Sequence, residues 1–207
     1  MSQMRLAIVA PSGSGKSTTA GFIEMRCRQL GKSARILKLA DPLYRLQQQF
    51  YATAGQHIET YQQNQKLLED IAMHLRSICP TSIVDDFVKR LSECVEDVIV
   101  NDDLRDPDVD LPVLRRLGFK ILRVSADAGS IAARLDQRQD LQTQRTSTVD
   151  QTAMRIRPDH VLVNCGTSLQ NYAADVFAFT DTLLQEASGD TSRPFVSPPL
   201  RQVELWR

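Results

Sequence analysis

A three-layer α/β sandwich around a five-stranded parallel sheet is the fold class this sequence predicts, on three observations. Five short apolar runs recur along the 207 residues and read as strands buried on both faces. Segments with apolar residues at helical spacing separate them, the pattern of successive βα units. The first run, Leu6-Ala7-Ile8-Val9, passes at once into a glycine-rich turn and then a helix.

Residues 5–10 are the first strand, and Lys16 to about Leu30 the first helix, stopped by Gly31. Ala34 to Leu39 is a second strand, ended by Asp41-Pro42. From Leu43 to about Tyr51 the pattern is helical, with Gln47, Gln48 and Gln49 on a solvated face, and residues 52–65 read as a loop or irregular insertion. Leu67, Leu68, Ile71, Leu75 and Ile78 recur at helical spacing until Pro80 interrupts. Ile83, Val84, Phe87, Val88, Leu91 and Val95 mark a second amphipathic helix. Val98-Ile99-Val100 is a buried strand, Val113 to Gly118 a short helix, and Lys120 to Val124 the fourth strand. Ile131 to about Arg138 is helical, whereas residues 139–152 are polar and expected to be mobile. Val161-Leu162-Val163 is the last strand, and Leu169 to about Ala187 the closing helix. Beyond Ser188 the Ser/Pro/Arg-rich tail lacks periodicity and is expected to be loosely docked or disordered.

Lys+Arg and Asp+Glu number 25 each, so net charge gives no sign of non-specific attraction to nucleic acid or to an anionic membrane. The four cysteines are widely spaced with no C-x-x-C pair, as in reduced thiols of a cytoplasmic protein. One basic residue and a short apolar run at the N-terminus do not make a signal peptide. No apolar stretch approaches the ~20 residues that span a bilayer. His57, His74 and His160 show no mutual ligand spacing, and no catalytic histidine is assigned.

The turn after the first strand is Ala10-Pro11-Ser12-Gly13-Ser14-Gly15-Lys16-Ser17-Thr18, the context of a phosphate-binding P-loop. Glycines there let the backbone curl so that successive N–H groups point at phosphate oxygens. Ser12, Gly13, Ser14, Gly15, Lys16, Ser17 and Thr18 are therefore expected to hold ATP, Lys16 as a point charge and Ser17 as a Mg²⁺ ligand. Ala10 stands where the usual G-x-x-x-x-G-K-[ST] pattern has its first glycine, tolerable if its φ is negative.

In a parallel sheet ligands bind beyond the carboxyl ends of the strands. Strand two delivers Asp41 there, strand three Asn101-Asp102-Asp103-Leu104-Arg105, and strand five Asn164 and Gly166. The chain resembles the P-loop nucleoside monophosphate kinase group, most of all phage-type deoxynucleoside monophosphate kinases. The P-loop carries the resemblance, with Leu39-Ala40-Asp41-Pro42-Leu43, Asp103-Leu104-Arg105 and the stretch from Asp159 to Leu169. The last stretch also resembles dephospho-CoA kinases. The resemblance spans roughly residues 5–186 and implies a P-loop kinase domain over 1–187, with an acceptor-binding helical region at 43–95 and a small lid at 131–152.

Phosphoryl transfer depends on positioning and on neutralising the moving charge. Asp102 or Asp103 would hold the metal, and Asp103 is favoured; a turn or helix-capping role is the lesser alternative. Arg105 would clamp an acceptor phosphate, against an ion pair with Asp106 or Asp108. Asp41 suits a helix cap followed by Pro42, while the resemblance sets it facing the acceptor nucleoside. Arg45 and Arg76 are the further acceptor-binding candidates. Arg134, Arg138 and Arg145 belong to the lid, where related kinases close arginines over the donor phosphates; ion pairs to Asp136 or Asp140 are the alternative.

The expectation is ATP-dependent transfer to a (deoxy)nucleoside monophosphate, with Mg²⁺, a small-molecule nucleotide as partner, no membrane, and a homodimer supported by apolar faces on the 66–95 helices. Two alternatives stay open. One is a P-loop kinase acting on a modified base in DNA or on a metabolite hydroxyl, the only reading with a nucleic-acid partner. The other is a regulatory ATPase whose Gln-rich 44–65 region and Pro-containing tail serve a protein partner. No Asn-Lys-x-Asp motif marks a GTPase.

Overall fold

Apolar side chains on both faces of Met4–Val9 commit this strand, β1, to the centre of a sheet. The computed structural model describes residues 3–136, 148–165 and 168–188. Around β1 stand β2 (Ala34–Ile36), β3 (Val98–Asn101), β4 (Lys120–Ser125) and β5 (His160–Val163). All pairs are parallel, in the order β2-β3-β1-β4-β5. The expected five-stranded parallel sheet is the sheet observed.

Period-two alternation divides the interior into two cores. Leu6 and Ile8 face the helices α1 (Lys16–Gln29) and α8 (Leu169–Ser188), meeting Ile23, Val176 and Phe179. Arg26 clasps Asp181 across these two helices through two bonds of 2.8 Å. Ala7 and Val9 face the other side, covered by α2 (Asp41–Thr53), α3 (Gln65–Ile78), α4 (Ser82–Ser92) and α5 (Asp110–Arg116). Ile71, Ile83, Phe87 and Leu91 fill that core, so the apolar faces of α3 and α4 pack inward. The remaining helices are α6 (Ala128–Asp136) and α7 (Thr148–Ala153).

Several boundaries move from the sequence expectation for local reasons. β2 ends at Ile36 rather than Leu39, because the amides of Leu39 and Ala40 bond to the Asp103 carboxylate instead of a strand. α2 begins at Asp41, with Ala40 as its N-cap and Pro42 in its first turn, so the Asp41 side chain is not the cap. α4 stops at Ser92, leaving Val95 93% exposed. Residues 148–153, expected within a polar loop, form α7, held by Ala153 and by Ile156 just beyond it in the core. Residues 137–147 and 189–207, which include Arg138, Arg145 and nearly all of the tail, lie outside the described residues, as does Gly166.

Candidate active site

β1 ends in the middle of the sheet and delivers its loop onto the N-terminus of α1. Gly13 and Gly15 adopt φ of 80° and 101°, the left-handed region that L side chains avoid. Both are also sterically required. A Cβ on Gly15 would stand 2.5 Å from Asn164 Nδ2, and one on Gly13 would stand 3.0 Å from Leu135 on α6. Among the described residues no non-glycine has positive φ, so Ala10 sits without strain where the pattern has glycine. Asn164, just past β5, donates through Nδ2 to the Ser14 carbonyl at 3.0 Å. Arg134 on α6 reaches the same loop, donating to the carbonyls of Gly13 and Ser14 at 3.4 Å and to Asn164 Oδ1 at 3.1 Å. Lys16 folds back on the carbonyls of Ala10 (2.6 Å) and Pro11 (3.0 Å). The first turn of α1 carries no acidic residue, so its positive end is left for an anion. Ser12 and Ser14 are buried within the loop, while Ser17 and Thr18 open onto the surface at its end.

β3 lies beside β1, and its C-terminal residues meet this loop. Asp102, only 2% exposed, accepts from the Ser17 hydroxyl at 2.7 Å. The Lys38 ammonium donates to both oxygens of the same carboxylate, at 2.6 and 2.8 Å. Burial pulls the Lys38 pKa down, but Asp102 and Asp103 more than offset it and the net shift is upward. Asp103, the carboxylate favoured from sequence, is turned away. It accepts from the amides of Leu39 (2.8 Å) and Ala40 (2.9 Å) and from Asn101 Nδ2 (2.6 Å). Burial and the neighbouring Asp102 raise its pKa, against the pull of Lys38 and the two amides. Of the two, the structure brings Asp102 to Ser17, whereas Asp103, the one favoured from sequence, bonds to the β2–α2 turn.

A hydroxyl and a carboxylate are the hard oxygen donors that Mg²⁺ takes when nucleotide phosphates supply further ligands. Ser17 and Asp102 are such donors, already 2.7 Å apart at the loop. The residues therefore fit the ion.

Beside this rim opens a cavity of about 390 Å³. Its apolar walls come from Leu39, Leu43, Leu68, Ala72 and Ile83, with Tyr44 and Gln63 at its polar side. Arg76 and Arg105 both line it. Arg76 is held by Asp110 at 2.7 Å, Asp106 at 3.5 Å and the Pro80 carbonyl at 3.1 Å. Burial raises the Asp110 pKa to about 6 in spite of Arg76. Two acceptor candidates are not brought here. Arg45 is 56% exposed at its side chain and pairs with Asp86 (3.1 Å) and Asp41 (3.5 Å). Asp41 receives the Tyr61 hydroxyl at 3.3 Å and does not line the cavity.

Sequence reading assigned no role to Lys38. A lysine among the apolar residues Ile36, Leu37 and Leu39, where a strand meets the ligand-binding rim, was the available signal.

No family model matches this sequence, and no curated protein sequence matches it. Solved structures do match in shape. A shikimate kinase from Acinetobacter baumannii in complex with shikimate superposes with a TM-score of 0.50 at 12% identity, covering 93% of this chain and 97% of that one. A gluconokinase from Sinorhizobium meliloti 1021 follows at 0.49 and 14% identity, covering 91% and 97%. At such identities the likeness speaks for architecture alone: this chain has the α/β fold of the P-loop kinases.

Proposed function

We propose that this protein transfers the γ-phosphoryl of ATP to a small acceptor in the 390 Å³ cavity, and that the acceptor is a (deoxy)nucleoside monophosphate. One observation carries the reading: the Ser17–Asp102 pair of the P-loop rim opens beside a cavity whose wall holds Arg76 and Arg105. Guanidinium groups bind phosphate bidentately. The leucines and Tyr44 suit a flat base, and Gln63 offers hydrogen bonds to its edge.

In the reaction an acceptor phosphate oxygen attacks the γ-phosphorus. The bond to the β–γ bridging oxygen breaks, and ADP leaves with that electron pair. An ionised acceptor phosphate needs no general base. Lys16 and the loop amides hold the donor phosphates, while Ser17 and Asp102 would hold Mg²⁺. When bound, Mg²⁺ neutralises charge on the β and γ oxygens. Arg134, fastened to the loop carbonyls, keeps the amides of Gly13 to Gly15 in place.

A second reading has its own support. Five carboxylates (Glu69, Asp103, Asp106, Asp108 and Asp110) line the cavity against two arginines, a balance that suits an uncharged hydroxyl acceptor. ADP formation from Mg·ATP, measured against ribo- and deoxynucleoside monophosphates including 5-modified pyrimidines, separates the readings. Turnover with one or a few monophosphates is expected. Turnover only with polyols or other neutral metabolites moves the acceptor to the second class. A panel silent for both leaves a modified base in DNA or a protein partner.

A further inference from the structure

We propose that Lys38 is a catalytic residue, its ammonium contacting the γ-phosphoryl of the donor nucleotide; this rests on reading the site as a phosphotransferase. Ser17 Oγ and Lys38 Nζ both donate to Asp102 Oδ2, at 2.7 and 2.8 Å. The hydroxyl and the ammonium are therefore separated by no more than two hydrogen-bond lengths. In the P-loop pattern this serine would hold Mg²⁺ beside the donor phosphates. A cation so close to Ser17 lies within a short side-chain rotation of the group that moves.

Its covalent neighbours point the same way. Leu39 and Ala40, the next two residues, line the acceptor cavity. Lys38 thus occupies the seam between the donor loop and the acceptor space, where negative charge spreads during transfer. Lys16 approaches the phosphates from the P-loop, and Lys38 approaches from the side of β2. Tyr61 lies over the ammonium, 5.4 Å from ring centroid to Nζ, and its hydroxyl is tied to Asp41. That ring shields one flank of Lys38 from water, which strengthens the pull of the ammonium on a phosphoryl oxygen. A lysine present only to neutralise Asp102 would need none of this placement.

The test compares binding of Mg·ADP with that of Mg·AMP-PNP, a non-hydrolysable triphosphate, by calorimetry in wild type, Lys38→Met, Lys38→Gln and Lys38→Arg. No acceptor is required. Wild type is expected to prefer the triphosphate. Lys38→Met should lose about tenfold or more of the triphosphate affinity while Mg·ADP binding changes by less than about threefold, and Lys38→Arg should keep part of the preference. Lys38→Gln retains a hydrogen-bond donor to Asp102 and gives the same comparison if loss of those bonds prevents Lys38→Met from folding. An unchanged preference in the neutral variants overturns the proposal. So does a parallel loss for both nucleotides, which a purely structural role through Asp102 would produce, and so does a wild type indifferent to the γ-phosphate. Failure of wild type to bind either nucleotide would instead overturn the phosphotransferase reading on which the proposal stands.

Discussion

Asp102 and Asp103 are adjacent in the chain and opposite in role. Successive side chains at a strand end point to opposite sides. Asn101 and Asp103 share one side and bond to each other, while Asp102 turns toward Ser17. Asp102→Asn is therefore expected to lower phosphoryl transfer by at least about 100-fold, and to lower stability as well, since it leaves the half-buried Lys38 ammonium without its carboxylate. Asp103→Asn should lose about 2 kcal/mol in urea unfolding, because one carboxylate oxygen becomes an NH2 group that cannot accept from a turn amide, with transfer less affected. Gly15→Ala combines a left-handed φ with a Cβ 2.5 Å from Asn164 Nδ2. Backbone strain alone costs about 1–2 kcal/mol, so its melting temperature should fall by several degrees, with nucleotide binding lost in titration. The P-loop was legible because its residues are consecutive. The choice between the two aspartates was not, since it depends on which side of β3 faces β1.

At the scale of elements, the strands were legible from their unbroken apolar runs and the helices from their periodicity. α7 was not, because its own residues are mainly polar and its position is fixed by Ala153 and Ile156 meeting the core. Arg45 shows the same limit: its place on α2 could be read, but its partner Asp86 comes from α4. α3 and α4 supply much of the cavity wall, and Phe87 lies in the core on which they pack. It is fully buried, with its ring centroid 5.8 Å from that of Phe119. Phe87→Ala is expected to cost about 3–5 kcal/mol in chemical denaturation. Mg·AMP-PNP affinity in the surviving folded fraction should change little, since the donor loop lies on other elements.

For the whole molecule, Asp110 predicts a pH dependence of stability. Its folded pKa, about 6, lies above the ordinary 3.8, so between those values the native state holds more protons than the unfolded chain. The contribution is most favourable below that window and declines as pH rises through about 6, by up to about 3 kcal/mol for a two-unit shift. Asp110→Asn should flatten this decline in unfolding free energies measured from pH 4 to 7.

The bond from Asn164 to the Ser14 carbonyl spans 150 positions of sequence. During synthesis the loop after β1 emerges well before Asn164, the side chain that ties down its Ser14 carbonyl from beyond β5. A nascent chain that has emerged only through β4 therefore holds this loop without the bond that ties it to the far end of the sheet.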